Sequence, residues 1–516
     1  MKKLWDKNNV FLLLSVLFGI ISTCLNYQFG ISDQIEQLPI IYRFLDDTYL
    51  VNDFFVNTNS SYSPRFYYVI IISFLAKVTS VPFIFFILTF LSNCFLSIVS
   101  FKTSKLIFKN NKQALFGAIM VLFATTLTLG SSNQIYNSYL VPSNIAFTLI
   151  LWGFYYLLKK QLVLSIILCG IVSIFHILIG FEYGVLFFSI AILIDLRDKE
   201  YKKAILKTPY FLILILFLLF NIIPYFSQKE KIDDQLFINI VAFFRHPHHY
   251  ILSYILTLKE IIKVLIFGSI SIWLFLNWKK NKSNQIYIFI LKTVLLILCF
   301  TTFLSWFFVE IIPNRLITTL QLIRLLDLLK WIGLLFLGSK IINLLTSLKI
   351  QPNISPKIKL IFSFSFCAIL LLFSTIDFKK STTKIIFKNY FEFTEIETSK
   401  KELIEFVKNN TPKDGVFLSP PDFGFLRVRA KRAIVIDFKA FPFQDKSIKE
   451  WYLRVKNCYG IERNNLNKKY RNLNNKSINK LNKKYSFNYA VLYNDTPTKF
   501  PVIYTNKKYK IITLEH

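Results

Sequence analysis

Long apolar runs constrain this chain more than any other feature. They recur between residues 10 and 373, separated by short polar loops. A run of roughly 20 apolar residues is what a helix needs to cross a bilayer core of about 30 Å. The runs are residues 10–26, 83–101, 114–130, 141–158, 162–176, 180–194, 209–225, 264–276, 286–308, 316–337 and 360–373. Several fall short of a full span, so their ends extend or they sit among neighbouring helices. Composition agrees: 54% of the 516 residues are hydrophobic and only 18% are charged, against about 25% charged in a soluble domain. The 55 phenylalanines and 26 tyrosines suit lipid-facing and interfacial positions. The expected fold class is an α-helical polytopic membrane protein with about eleven transmembrane helices.

The lysines set the expected orientation. Cytoplasmic loops of membrane proteins carry an excess of Lys and Arg. Here the basic loops are Lys102/Lys105/Lys109/Lys112, Lys159/Lys160, Arg197/Lys199/Lys202/Lys203, Lys279/Lys280/Lys282 and Lys340/Lys357/Lys359. All fall on one side when eleven spans are assumed. The N-terminal Lys2, Lys3 and Lys7 precede the first run, which resembles a signal peptide but is followed by no small-residue cleavage site. It therefore reads as the first span, with the N-terminus cytoplasmic. Parity then requires residues 66–78 to lie in the interface rather than cross. Residues 250–263, with Lys259, Glu260 and Lys263, rest on the outer surface. The net charge of +32 is explained by topology, so no nucleic-acid partner is inferred. The six cysteines show no ligand spacing and read as small membrane hydrophobes.

Two domains are expected. Residues 1–376 form the transmembrane part, with an acidic first external loop at residues 26–65. Residues 377–516 form a soluble α/β domain on the non-cytoplasmic side. In it, helices are predicted at residues 399–409 and 446–456, and strands at residues 416–419, 433–438, 489–493 and 502–504. Asp422 and Asp437 follow two of these strands, where α/β proteins often bind ligands. No Gly-rich phosphate loop, Ser-His-Asp pattern or HExxH is present.

Four stretches carry candidate chemistry. The first external loop clusters Asp33, Glu36, Asp46, Asp47 and Asp53. Carboxylates beside an apolar cavity serve as general bases when their pKa is raised; otherwise they are a solvated face. Pro39 restricts any helix there to begin near it. His176 and Glu182 flank Gly180 at an external helix end, as a functional pair at membrane depth or as interfacial anchors. Arg245, His246, His248 and His249 surround Pro247, which favours an extended segment with His246 and His248 projecting together. These residues fit a partial metal site or a cationic cradle for phosphate with Arg245. Finally, Arg315 sits near the outer interface, and Gln321, Arg324 and Asp327 recur every third residue on one helix face. Arg324 then either pairs with Asp327 or reaches a lipid-linked phosphate in a wet cavity.

The order of these parts resembles the GT-C superfamily of polyprenyl-phosphate-dependent glycosyltransferases: one span, a long acidic external loop, many further spans and an external C-terminal domain. That group includes protein mannosyltransferases, aminoarabinose transferases and oligosaccharyl transferases. In it an aspartate early in the first external loop acts at the active site, and Asp33 is the matching position. The phrases DQIEQLPIIYRFLD, FRHPHHY and SPPDFGFLRVRAKRAIVIDFKAFPF resemble an uncharacterised bacterial membrane-protein family of GT-C-like organisation. The resemblance implies sugar transfer from a polyprenyl-phosphate-linked donor to a cell-envelope glycan, lipid or protein. Asp33 would take the acceptor proton, with Glu36 assisting or holding a divalent metal. The cations Arg245, Arg315 and Arg324, with His176, His246, His248 and His249, would meet the phosphate. A non-enzymatic lipid or ion transporter, or an envelope-assembly scaffold, is the alternative. Transporters often carry internal repeats, and none is evident. The expected location is the plasma membrane, with the bilayer itself a partner.

The topology is directly testable. Reporter fusions or thiol labelling are expected to place Asp33 and Asp422 in the same non-cytoplasmic compartment and Lys105 opposite them.

Overall fold

A computed structural model describes residues 7–59, 63–123, 134–226, 230–278, 284–350 and 389–514. The expected span at residues 360–373, the end of the run at 114–130 and the lysines Lys279, Lys280, Lys282, Lys357 and Lys359 lie outside the described residues. Among the described residues, five helices are long and apolar enough to cross a membrane: Asn9–Asn26, Val81–Phe108, Ile177–Arg197, Tyr201–Pro224 and Gln285–Ile311. Shorter apolar helices run Asn111–Phe123, Pro142–Leu158 and Leu162–Phe175. The chain is a multi-pass membrane protein by the length and composition of these helices. Side chains behave accordingly. Only 17% of the apolar window in Tyr201–Pro224 is buried, so Leu212, Leu216 and Phe220 face outward, as lipid-facing residues do.

Chain contacts divide the structure into two compact units. The first comprises Met1–Tyr27, Phe85–Ile222 and His246–Tyr390. Its helices pack through small residues, because lipid offers no hydrophobic drive and close backbone approach must supply the attraction. A Cβ on Gly180 would lie 2.3 Å from the Ser173 nitrogen, so the helices Leu162–Phe175 and Ile177–Arg197 meet backbone to backbone there. A Cβ on Gly338 would lie 2.7 Å from the Gly117 nitrogen and the Phe116 carbonyl oxygen. Polar side chains cross-link the same bundle: Asn93 donates to Thr23 Oγ1 at 2.9 Å, Ser97 to the Ser15 carbonyl at 2.6 Å and Trp331 Nε1 to Ser100 Oγ at 2.9 Å.

One predicted run breaks. Residues 316–337 do not form a single helix. A short helix Arg315–Leu320 stops at Gln321, whose φ of +53° is left-handed, and a tight turn Leu322–Leu325 follows. Helix Leu326–Ile350 then resumes. The Gln321 amide donates to the Tyr250 hydroxyl. That bond rewards the interruption.

The second unit comprises Gln28–Ile84, Ile223–Arg245 and Phe391–His516. Its centre is a five-stranded sheet of order β2-β1-β3-β5-β4: β1 Val416–Leu418, β2 Ala433–Ile434, β3 Tyr489–Tyr493, β4 Val502–Thr505 and β5 Tyr509–Thr513. β1 pairs parallel with β2 and β3, and β3–β5 and β5–β4 are antiparallel. Leu403 and Val407 of helix Thr398–Asn410 pack on Phe417, Val491 and Ile511 of the sheet. Four strands and two helices were foreseen; β5 was not, because its lysine-flanked apolar core is only a few residues long. The Phe66–Leu75 helix has 10 residues, half of what a span needs.

The same unit builds the first loop onto the sheet. Phe29 and Thr394 exchange backbone and side-chain hydrogen bonds at 2.9 and 3.0 Å, and the Phe29 ring stacks on Phe393 at 5.1 Å. Deeper, the Arg427 guanidinium, fully buried, bonds Asp53 at 2.7 Å and Asp437 at 2.5 Å. The remaining lone pairs are met by backbone: Val56 and Ile434 N–H donate to Asp53, each at 3.0 Å, and Ala440 N–H to Asp437 at 3.1 Å. Tyr49 closes the joint by donating to the Arg427 carbonyl. Removing one partner of a buried ion group leaves an uncompensated charge, at a cost of about 3–5 kcal/mol. Arg427→Met is therefore expected to destabilise the folded protein by about that amount, read as a lower Tm of the detergent-solubilised protein. An unchanged Tm would show that the group carries no such weight.

Candidate functional site

Asp33 and Glu36 begin the helix Gln34–Leu45, with Asp33 at its N-cap. The turn that leads in is tight: Gly30 has φ +72° and Ser32 φ +49°, and Gly30 N–H donates to Gln34 Oε1 at 2.7 Å. Pro39 lies inside this helix rather than at its start, as the sequence suggested. Pro39 is fully six positions into the chain segment that begins at Gln34, so its missing N–H falls just beyond the unpaired first turn.

The two acids have different fates. Glu36 is 4% exposed and lies between two guanidinium groups, Arg65 at 2.8 Å and Arg245 at 3.7 Å. Burial lifts its carboxyl above the ordinary glutamate value, against the pull of Arg65 and Arg245. Asp33 keeps 47% of its side chain open and bonds Lys439 Nζ at 3.0 Å. Burial pushes the Asp33 carboxyl up, but Lys439, Arg65 and Arg245 outweigh it and hold the group below the ordinary aspartate value. The helix N-terminus adds to the same effect.

Aromatic faces fix the cations. Arg65 lies over Phe443 at 5.2 Å and Arg245 over Phe438 at 5.3 Å, and Arg245 donates to the Lys439 carbonyl. Lys439 also reaches Ser32 Oγ at 3.4 Å. Two carboxylates thus face three cations, which leaves one net positive charge beside an accessible carboxylate. Such a group suits an anionic ligand that also carries a hydroxyl. Sequence reasoning missed Arg65 and Lys439. The available signal was a lone charge at the edge of an aromatic run, in SPRFYY and DFKAFPF.

Asp47 is exposed, and the other two acids of the loop make structural bonds. Asp46 accepts from Thr48 N and Oγ1 at 2.9 and 2.6 Å, and Asp53 belongs to the Arg427 joint. Asp437 is buried there too, while Asp422 forms a surface pair with Lys400 at 2.8 Å.

The remaining candidates belong to the first unit. His176 separates the helices Leu162–Phe175 and Ile177–Arg197, and its Nε2 lies 3.5 Å from Arg324 Nη1. Asp327 pairs with Lys330 at 3.1 Å, not with Arg324. Arg324 belongs to the tight turn Leu322–Leu325 and Asp327 to the helix Leu326–Ile350, so the two do not share the single helix face on which that pairing was expected. Both Glu182 carboxylate oxygens, Arg324 Nε and Gln321 Oε1 are buried with no hydrogen-bond partner among the described residues. Arg315 opens the short helix Arg315–Leu320, half-buried. His246, His248 and His249 come together, with their ligand atoms all within 4.8 Å of one another. The segment is not extended: Pro247 occupies the first position of a helical turn, Pro247–Tyr250, where its missing N–H costs nothing.

Among known proteins, a family model described as a domain of unknown function (DUF6798) matches residues 398–458. That stretch holds helix Thr398–Asn410, β1, β2 and the residues from Arg427 to Lys439. No curated protein matches the chain.

Proposed function

We propose that this chain is a membrane glycosyltransferase of GT-C-like organisation, moving a sugar from a polyprenyl-phosphate-linked donor to a cell-envelope acceptor. The reading takes about eleven spans, a cytoplasmic N-terminus, and an external location for the acidic loop and the C-terminal region. The observation that carries it is Asp33: an accessible carboxylate, kept ionised by Lys439, with Arg65 and Arg245 behind it. Glycosyl transfer needs both parts. As the acceptor oxygen bonds the anomeric carbon, Asp33 takes its proton. The bond from that carbon to the phosphate oxygen breaks, and the phosphate keeps the electron pair. Arg65, Arg245 and Lys439 neutralise the charge that develops there. Glu36, buried between Arg65 and Arg245, positions those groups rather than meeting the acceptor.

An apolar groove of about 430 Å³ is lined by Phe267, Phe275, Leu291, Leu295 and Phe336, which suits a polyprenyl chain.

A second reading, transport of a lipid or ion, draws on a separate observation. Glu182 is a buried acid in an apolar helix long enough to span, with no hydrogen-bond partner among the described residues. Ionisable groups at such positions often mark ion and proton paths.

Purified protein supplied with labelled polyprenyl-phosphate sugars is expected to transfer the label, and Asp33→Asn to reduce transfer by about 100-fold or more without altering the Tm. Transport that survives Asp33→Asn and is lost in Glu182→Gln, with no transfer by the wild type, would instead support the second reading. The pH profile gives an independent check. Because the Asp33 pKa is lowered in the folded protein, its ionised form persists as pH falls below the ordinary aspartate value. Lys439→Met removes the largest of the lowering influences. The acid limb of the transfer rate is therefore expected to move to higher pH, and a limb that stays in place would detach Asp33 from the proton step.

A further inference from the structure

The histidine run has no place in the transfer step above. The chain His246-Pro247-His248-His249 turns tightly: His249 N–H donates to the His246 carbonyl at 2.8 Å, so the first and last imidazoles return to the same side. The ring centroids lie 5.9 Å apart for His246–His248, 5.8 Å for His246–His249 and 4.2 Å for His248–His249. One potential ligand nitrogen from each ring lies within 4.8 Å of the other two. Two nitrogens bound to tetrahedral zinc sit about 3.4 Å apart, given bond lengths of 2.0–2.1 Å. Binding an ion requires the rings to turn so as to close that difference.

The surroundings favour a metal over a cationic cradle. A phosphate cradle on this run would need Arg245, but that guanidinium already belongs to the Asp33–Glu36 group, bonded to Glu36 and the Lys439 carbonyl and lying over Phe438. The turn is also anchored. Tyr250, directly after the run, is 5% exposed and accepts a hydrogen bond from the Gln321 amide, and Leu252 N–H donates to Glu310 Oε1 at 2.5 Å. All three histidines are half-buried, so none is sealed away from an approaching ion.

We infer that His246, His248 and His249 form a three-imidazole site for a borderline transition-metal ion of the zinc class, with an open position for water or an anionic oxygen. Imidazole nitrogens select zinc, cobalt, nickel or copper over magnesium and calcium, which prefer oxygen. A set of three neutral nitrogens leaves the ion its full positive charge, so the open position would bind an oxyanion strongly. The inference is independent of the glycosyltransferase reading, because metal binding is measured without turnover.

The test uses full-length protein purified in detergent without a polyhistidine tag, freed of metal with a chelator and titrated with Co²⁺, then Zn²⁺. The expected result is one equivalent of Co²⁺ with the visible absorption of a tetrahedral site, displaced by Zn²⁺. His249→Ala is expected to weaken binding by more than about 100-fold, beyond what loss of an outer-shell partner costs. His248→Cys should retain the ion and add a thiolate-to-cobalt charge-transfer band. Circular dichroism and gel filtration report folding; should His249→Ala not fold, the His248→Cys band decides. Absence of stoichiometric binding to the folded wild type, binding undiminished in folded His249→Ala, or a cobalt spectrum unchanged in His248→Cys would overturn the site.

Discussion

Arg427 is the charge on which the second unit depends. Taking a guanidinium and two carboxylates fully out of water costs several kcal/mol per ion. The arrangement persists because almost every polar edge is met, by Asp53 and Asp437 on one side and by the Val56, Ile434 and Ala440 backbone on the other. Asp53 comes from the first loop, whereas Asp437 follows β2. The ion group therefore fastens distant parts of the chain to one another, and the register of Lys439 beside Asp33 follows from it. Gly424 fits the same joint, since a Cβ there would meet Asp437 Oδ2 at 2.7 Å.

Environment separates the two leading acids. Asp33 and Glu36 lie one turn apart on the same helix, yet Glu36 is enclosed by two guanidinium groups and Asp33 remains open beside Lys439. Pairs of acids with different surroundings take different chemical tasks. In this chain one carboxylate is spent on holding cations in place, and the other is left available.

The first unit follows a different logic. Its helices are held by close backbone contact at Gly180 and at Gly117–Gly338, and by hydrogen bonds from Asn93, Ser97 and Trp331. The left-handed residue Gln321 shapes one end of this unit. It ends the helix Arg315–Leu320, precedes the tight turn that carries Arg324, whose guanidinium lies beside His176, and its amide bonds Tyr250 next to the histidine run.

The apolar runs by themselves determined the membrane character and most of the helices, because a chain without water must satisfy its own backbone hydrogen bonds and only local structure does so economically. They also carried β1, β3 and the helices of the C-terminal region, whose periodicity is local. Only the tertiary structure decided that residues 28–84 fold with the C-terminal region, that Arg65 and Lys439 join Asp33, and that Asp53 is a structural ion. Those facts rest on partners from about thirty to several hundred residues apart, and no spacing rule along a chain encodes which distant charge will compensate a buried one. The histidines fall between the two cases. Their clustering was legible in four consecutive positions, but the turn that gathers all three rings required Pro247 to begin a helix rather than extend a strand, a choice set by the contacts of Tyr250.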